Sequence, residues 1–376
     1  MLLILRTNPN YEKMRKSFLK ALGLMALMAF FPTMESQACT GITLKTKTGA
    51  TVLSRTIEWG GSLLNSQYVV VPRGYEQQSY TPNGVQGMRF KARYGYVGLS
   101  VEQKEFVTEG INECGLSAGL FYFPGYGGYP AYDPVKNDIT ISDFQLVSWM
   151  LSSFATVDEV KQALPTVRVT SIDPRASTVH WRIADKSGRQ VVLEIVNGGE
   201  IRLYENEIGV LTNSPGFDWQ CTNLNNYVNL LPGTAPQNKL GTLTLNSFGA
   251  GSAQLGLPGD VTPPSRFVRA AFYQATAPLQ ETTHAAVLQA FQIMNNFDIP
   301  IGIEHSGTEH LPEGLPSATQ WTTATDLEAL RIYYRTAWNS AIRCIDLKTI
   351  NFQKVKFQAY PLDQVTEQPV EMIRIK

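Results

Sequence analysis

The chain has 376 residues, 43% of them hydrophobic and 17% charged, and its 32 basic and 32 acidic side chains cancel to a formal net charge of zero. Balanced charge excludes the electrostatic footprint of a nucleic-acid binder, and the length supports a large buried core. The four cysteines, Cys39, Cys114, Cys221 and Cys344, match no metal spacing and are too few to form a disulfide framework; all but Cys39 are expected to be buried small apolar residues.

The N-terminus reads as a targeting segment. Lys13, Arg15, Lys16 and Lys20 precede an apolar run from Ala21 to Phe31, too short for the roughly 20 residues of a membrane span. Pro32 ends the run, and Ser36-Gln37-Ala38 sets small residues three and one before a cut. Residues 1–38 are therefore expected to be a signal peptide, with Met14 opening an equally good signal of its own. Residues 39–376 then form one exported domain that begins at Cys39.

Thr40–Thr46 alternates as a strand, Lys47-Thr48-Gly49 supplies a turn, and Ala50–Arg55 returns. A turn centred near Thr48 pairs positions whose numbers sum to about 96, which puts Cys39 opposite Ile57 and brings Arg55 and Glu58 near its sulfur. Further strands are expected over Tyr68–Pro72 and Tyr94–Leu99. A loop rich in glycine and tyrosine, Pro124 to Tyr132, reads as a surface loop or as the wall of a pocket for an apolar group. Ser142 starts one helix and a second covers Val157–Leu164. A β-meander follows, Thr178–Ala184, Val191–Val196, Ile201–Tyr204 and Ile208–Leu211. Helices are expected from a cap at Ser265 and over His284–Asn296, and strands over Arg331–Thr336, Ser340–Asp346 and Lys354–Gln358. No linker or repeat divides these blocks, so the order describes a single α+β body of sheets flanked by helices.

Four histidines without a His-Glu-x-x-His or Cys-x-x-Cys pattern give no support for a metal, the Gly-x-Ser-x-Gly elbow of a serine hydrolase is absent, and no glycine-rich phosphate loop follows a strand. No cofactor is expected. Cys39 stands out instead. Once it is the first residue it carries a thiol and a free α-amine together, and an α-amine titrating near roughly 7.7–8.0 can serve as the base for its own thiol. Arg55 would favour the thiolate, Glu58 could orient the amine, and an asparagine at a strand end, Asn213, suits an oxyanion donor.

The start Cys-Thr-Gly-Ile-Thr, the segment Ser54-Arg55-Thr56-x-Glu58, the run Val210-Leu211-Thr212-Asn213-Ser214-Pro215 and the stretch Ser265-Arg266-Phe267-Val268-Arg269 together resemble the choloylglycine hydrolase family, as do Thr319-Gln320-Trp321 and Tyr333–Thr336. That family contains bile salt hydrolases and penicillin V acylases. The resemblance implies a four-layer αββα sandwich of the N-terminal-nucleophile type, assembled as a homotetramer. It further implies Cys39 as nucleophile with its α-amine as base, Arg55 beside the thiol, and Glu58 where many members have an aspartate. Asn213 falls to the oxyanion and Arg266 to a second active-site arginine. Phe121 falls where many Gram-positive bile salt hydrolases carry an asparagine, so that only its backbone amide could serve the oxyanion.

The candidate substrate-binding residues are Phe121, Tyr122, Tyr126 and Tyr129 of the aromatic loop, with Trp59 at the end of the hairpin. The expected substrate is a small amide with an apolar acyl group: a glycine or taurine bile salt, with penicillin V or an N-acyl homoserine lactone as alternatives. From a different class, a cysteine after an export signal could be lipidated to anchor a binding protein, although Ser36 and Gln37 fit a lipidation signal poorly.

Overall fold

Short runs of β-branched residues broken by glycine turns favour strands at many points along this chain. The structure, a computed structural model, describes residues 37–60, 64–172, 177–304 and 318–375; the expected leader up to Ser36, together with His305 and His310, lies outside the described residues. The strands of the two large sheets are, in chain order, β1 (Gln37–Lys45), β2 (Thr51–Trp59), β3 (Gln67–Val71), β4 (Tyr96–Ser100), β5 (Val107–Asn112), β6 (Ser117–Tyr122) and β7 (Val179–Ala184). They continue with β8 (Gln190–Val196), β9 (Glu200–Glu205), β10 (Ala318–Asp326), β11 (Arg331–Thr336), β12 (Asn339–Asp346) and β13 (Gln358–Pro361). The helices are α1 (Leu146–Ser153), α2 (Val157–Ala163), α3 (Phe217–Asn223), α4 (Pro263–Thr276) and α5 (Thr283–Met294).

One sheet has five strands in the order β1-β2-β10-β11-β12, and the other has eight, β9-β8-β7-β6-β5-β4-β3-β13. Helices α1 and α2 bury Leu146, Met150, Val157 and Val160 against Val179, Trp181 and Ile183 of β7 and Val191, Leu193 and Ile195 of β8. On the far side, α5 buries Ala286, Val287, Ala290 and Phe291 against Leu44, Val52 and Ala324 of the five-stranded sheet. The two sheets meet over Leu53, Val97, Ile111, Ala184 and Ile332. The result is the expected αββα sandwich, in which strand alternation decides what each layer sees.

That alternation positions the site. In β7 and β8 the odd-numbered residues face the helices, so His180, Arg182 and Glu194 point into the space between the sheets. In β2, Leu53, Arg55 and Ile57 point into the same space, whereas Val52, Thr56 and Glu58 lie on the outer face.

Several expectations change. β10, a central strand, was not expected; its threonine-rich sequence ATQWTTATD carries the β-branched signal without the apolar one. Helix α3 was likewise unexpected. Ile208–Leu211 is no strand: Gly209 turns at φ 72°, held by the Asn206 side chain, and only Leu211 bridges to Gly41. Thr262, not Ser265, is the cap residue of α4. Lys354–Gln358 is a turn until Gln358. The three other cysteines are not core residues, since Cys114 and Cys221 are half-buried and Cys344 is exposed on the edge strand β12. Among the described residues, no helix is long and apolar enough to cross a membrane.

Close packing between the sheets leaves no room at Gly41: a Cβ there would lie 2.9 Å from both Arg182 Nη1 and Phe121 Cζ. Gly41→Ala is expected to cost about 1–3 kcal/mol of unfolding free energy through overpacking. Urea denaturation measures it, and an unchanged midpoint would show that the two sheets can part at no cost.

Candidate active site

The hairpin register is the one the turn implies: Cys39 pairs with Ile57, Gly41 with Arg55 and Ala38 with Glu58. Cys39 and Arg55 therefore share the inner face of the sheet, and Glu58 takes the outer one. Arg55 Nη2 lies 3.0 Å from Cys39 Sγ. The guanidinium is fully buried and its other donors are spoken for: Nη1 donates to the carbonyls of Leu120 (2.5 Å) and Thr108 (3.1 Å), and Nε to Thr56 O (3.2 Å).

Three features of the eight-stranded sheet make room for that cation. The pairing of β4 with β5 shifts between Leu99 and Ser100, leaving Thr108 as a bulged residue whose carbonyl faces Arg55. Glu109 follows, 3.6 Å from Arg55 and 3.4 Å from Arg182. It occupies the space a side chain at Gly119 would need, since a Cβ there would run into its Oε2. Phe121 lies under the cation, with its ring centroid 4.1 Å from the Arg55 guanidinium carbon. Sequence reasoning missed Glu109 and Arg182. The available signal was a charge at an inward position of an apolar strand, as in Trp181-Arg182-Ile183.

Asn213 reaches Cys39 from the other side. Its Oδ1 accepts from Cys39 N at 2.9 Å and from Arg266 Nη2 at 2.7 Å, while its Nδ2 donates to Tyr122 O at 2.8 Å. Arg266, one turn into α4, also donates from Nη1 to Cys39 O (2.5 Å) and to Thr40 Oγ1 (2.8 Å). The start of α4 is fixed by Asp260, whose carboxylate accepts from the Thr262 and Ser265 hydroxyls and is held down at about 2 by those bonds. Cys39, Arg55, Asn213 and Arg266 thus converge, and Glu58 lies behind them on the outer face.

Not all of the expected substrate contacts survive. Phe121 is fully buried beneath Arg55, so it cannot line a pocket. Nor is its amide free for an oxyanion. Phe123 N donates to Thr178 O, so alternation along the antiparallel ladder puts Phe121 opposite His180 as the next bonded pair. The backbone N–H turned toward the sulfur is that of Tyr122. Tyr129 is pinned through its hydroxyl to the backbone of Val179, donating to O at 3.2 Å and accepting from N at 2.9 Å, and packs against the helix-side core. Trp59 and Tyr122 are half-buried and Tyr126 is exposed, and these three keep surface for a ligand. Among the described residues no group of histidine, cysteine and acidic side chains could hold a metal ion.

In the structure Ala38 is still joined to Cys39, and both residues are buried. Burial pushes the Cys39 thiol up, with Arg55 the strongest opposing influence, so with Ala38 attached the site holds a thiol in a dry environment. Burial likewise pushes Glu58 from 4.5 up to about 8, against the pull of Arg266, Thr56 and Thr319. Its Oε1 accepts from Thr319 Oγ1 at 3.0 Å, brought there by a bulge at Gln320 in β10, and its Oε2 has no hydrogen-bond partner. A buried carboxylate oxygen without a donor fits an ammonium group arriving at residue 39.

A carboxyl raised in the fold destabilises it as pH rises from 4.5 to about 8, because the unfolded chain loses its proton first. For the chain retaining Ala38, unfolding free energy is expected to fall across that window by up to about 1.4 kcal/mol per pH unit from this one group. Glu58→Gln should flatten that part of the slope; equal slopes in urea titrations of the two proteins would refute the assignment.

The model of linear amide C–N hydrolases, choloylglycine hydrolase family, matches residues 39–360. A bile salt hydrolase/transferase of Clostridium perfringens (strain 13 / Type A) is 31% identical over 328 residues, covering 86% of this chain and 96% of that protein. Among solved structures, a mutant of conjugated bile acid hydrolase from Clostridium perfringens superposes with a TM-score of 0.76 at 29% identity, over 89% of this chain and 100% of the other. Penicillin V acylase from Agrobacterium tumefaciens shares the fold, with a TM-score of 0.70 at 24% identity over 86% and 92% of the two chains. The chain belongs to the choloylglycine hydrolase family of linear amide C–N hydrolases.

Proposed function

We propose that this hydrolase is an exported cysteine amidase that removes glycine or taurine from conjugated bile salts, with Cys39 as the N-terminal nucleophile. One observation carries the reading: the sulfur and the backbone nitrogen of a single residue meet Arg55 and Asn213 in one buried centre. Support for Cys39 as the mature start comes from the family match, which begins at that residue, and from the orphaned Glu58 oxygen beside the site. Support for bile salts comes from relatives of that name that match along nearly their whole length.

In this reading, cutting after Ala38 supplies the missing base. The freed α-amine takes the proton of the Cys39 thiol, and the sulfur attacks the carbonyl carbon of the substrate amide. The carbonyl oxygen becomes an oxyanion that takes hydrogen bonds from the Tyr122 backbone N–H and the Asn213 amide. The intermediate collapses, the C–N bond breaks, and the amine leaves with the proton held by the α-ammonium. Water, deprotonated by the same amine, then splits the thioester to release the carboxylic acid and restore the thiol. Glu58 orients the ammonium, and Arg55 and Arg266 stabilise negative charge at the sulfur. Trp59, Tyr122 and Tyr126 would receive the apolar acyl group.

Turnover should be seen with glycocholate and taurocholate in a panel that includes penicillin V and a long-chain acyl homoserine lactone. Asn213→Ala is expected to lower kcat by about 10²–10³-fold, and Cys39→Ser to abolish turnover. Intact mass should give a mature chain beginning at an unmodified Cys39. Failure on all four substrates, or an acylated Cys39, would end this reading.

We also propose a homotetramer. The stretch between Val228 and Leu255 carries Val228, Leu231, Leu240, Leu243, Phe248 and Leu255, all exposed, with Phe248 entirely so. A surface this apolar in one segment calls for a partner. Sedimentation should give a tetramer that Leu243→Asp with Phe248→Asp dissociates; a wild-type monomer would overturn it.

A further inference from the structure

His180 and Glu194 have no place in the chemistry above, yet both are buried between the sheets within reach of Asn213. They stand opposite each other on β7 and β8, because Trp181 pairs with Leu193. The imidazole is stacked on Phe123, with centroids 4.3 Å apart and planes 9° apart, which leaves the ring little freedom to rotate. Nδ1 faces Glu194 Oε1 at 3.3 Å and Nε2 faces Thr212 O at 2.9 Å. A carbonyl can only accept, so Nε2 carries the proton that is donated to Thr212. Glu194 Oε1 in turn accepts from Phe217 N at 2.8 Å.

Thr212 and Phe217 bracket Asn213. Among the described residues the chain between them pairs with no strand beyond the Gly41–Leu211 bridge just before it, and its other ties are single side-chain bonds: Thr212 Oγ1 to Pro263 O (3.2 Å), Ser214 Oγ to Pro124 O (2.6 Å) and Gln220 Nε2 to Asn213 O (3.5 Å). Left to itself such an irregular segment would let its amide wander. We propose that His180 and Glu194 are positioning residues for Asn213: the pair grips the segment at both ends from β7 and β8 and so sets the direction in which the Asn213 amide meets Cys39. The inference rests on Asn213 acting at the oxyanion as proposed above.

The test is a double-mutant cycle in kcat, with each variant's concentration corrected to its folded fraction by circular dichroism so that unfolded protein does not count. His180→Phe keeps a ring on Phe123 and removes both hydrogen bonds. It should lower kcat by about 10²-fold, the scale of a misplaced catalytic group, with KM little changed. In an Asn213→Ala background the same substitution should cost nothing further, because its target is gone. Losses that multiply, a loss seen in KM alone, or an unchanged kcat would overturn the proposal. Full kcat in Asn213→Ala itself would remove the oxyanion role, and this inference with it. If His180→Phe does not fold, Glu194→Gln decides: it keeps the oxygen that receives Phe217 N–H but not the charge facing Nδ1. A smaller kcat loss that vanishes in the Asn213→Ala background supports the proposal, and an additive or absent loss overturns it.

Discussion

A guanidinium with no access to solvent governs the architecture of this enzyme. Arg55 lies between two sheets, and every group around it answers the cost of taking a charge out of water. The bulge at Thr108 turns a carbonyl toward it, Leu120 supplies another, Glu109 provides the counter-charge, and Phe121 offers its ring face. Two glycines exist to let this happen: Gly41 clears space for Phe121 and Arg182, and Gly119 clears it for Glu109. Arginine rather than lysine suits the position, because its planar fork serves several acceptors at once and still aims one N–H at Cys39 Sγ.

The strand alternation of the β1–β2 hairpin separates two tasks. On the inner face, Arg55 meets the sulfur. On the outer face, Arg266 meets the backbone carbonyl of residue 39, and Glu58 lies opposite Ala38. Near the start of β1, Cys39 is served by two separate groups, its thiol by Arg55 and its nitrogen by Asn213. In the proposed mechanism this lets one residue supply both the attacking atom and the proton acceptor, with Glu58 left short of a donor while Ala38 is attached. Export and activation would then be a single event.

The fold was legible where apolar periodicity was strong. The hairpin register followed from turn length alone, and Val179–Ala184 and Gln190–Val196 read clearly because odd and even positions differ in character. β10 was missed because a threonine strand between two others carries no apolar alternation, and Ile208–Leu211 misled because Asn206 and Gly209 convert an apolar run into a turn. The cysteines misled for the opposite reason, since residue type says little about burial on an edge strand such as β12.

By itself the sequence determined the hairpin that carries Cys39, the neighbours of Cys39 on it, and the family, because those depend on local register and on residues that stand at fixed spacings. Tertiary structure alone decided which partner touches the sulfur, that Phe121 supports Arg55 rather than lining a pocket, that the Tyr122 N–H turns toward the sulfur, and that Glu109 and Arg182 are buried together beside Arg55. Those assignments depend on which face a bulged strand presents and on which segments meet across two sheets. Contacts such as Arg55–Phe121 and Glu109–Arg182 join residues far apart in the chain and leave no mark on local pattern.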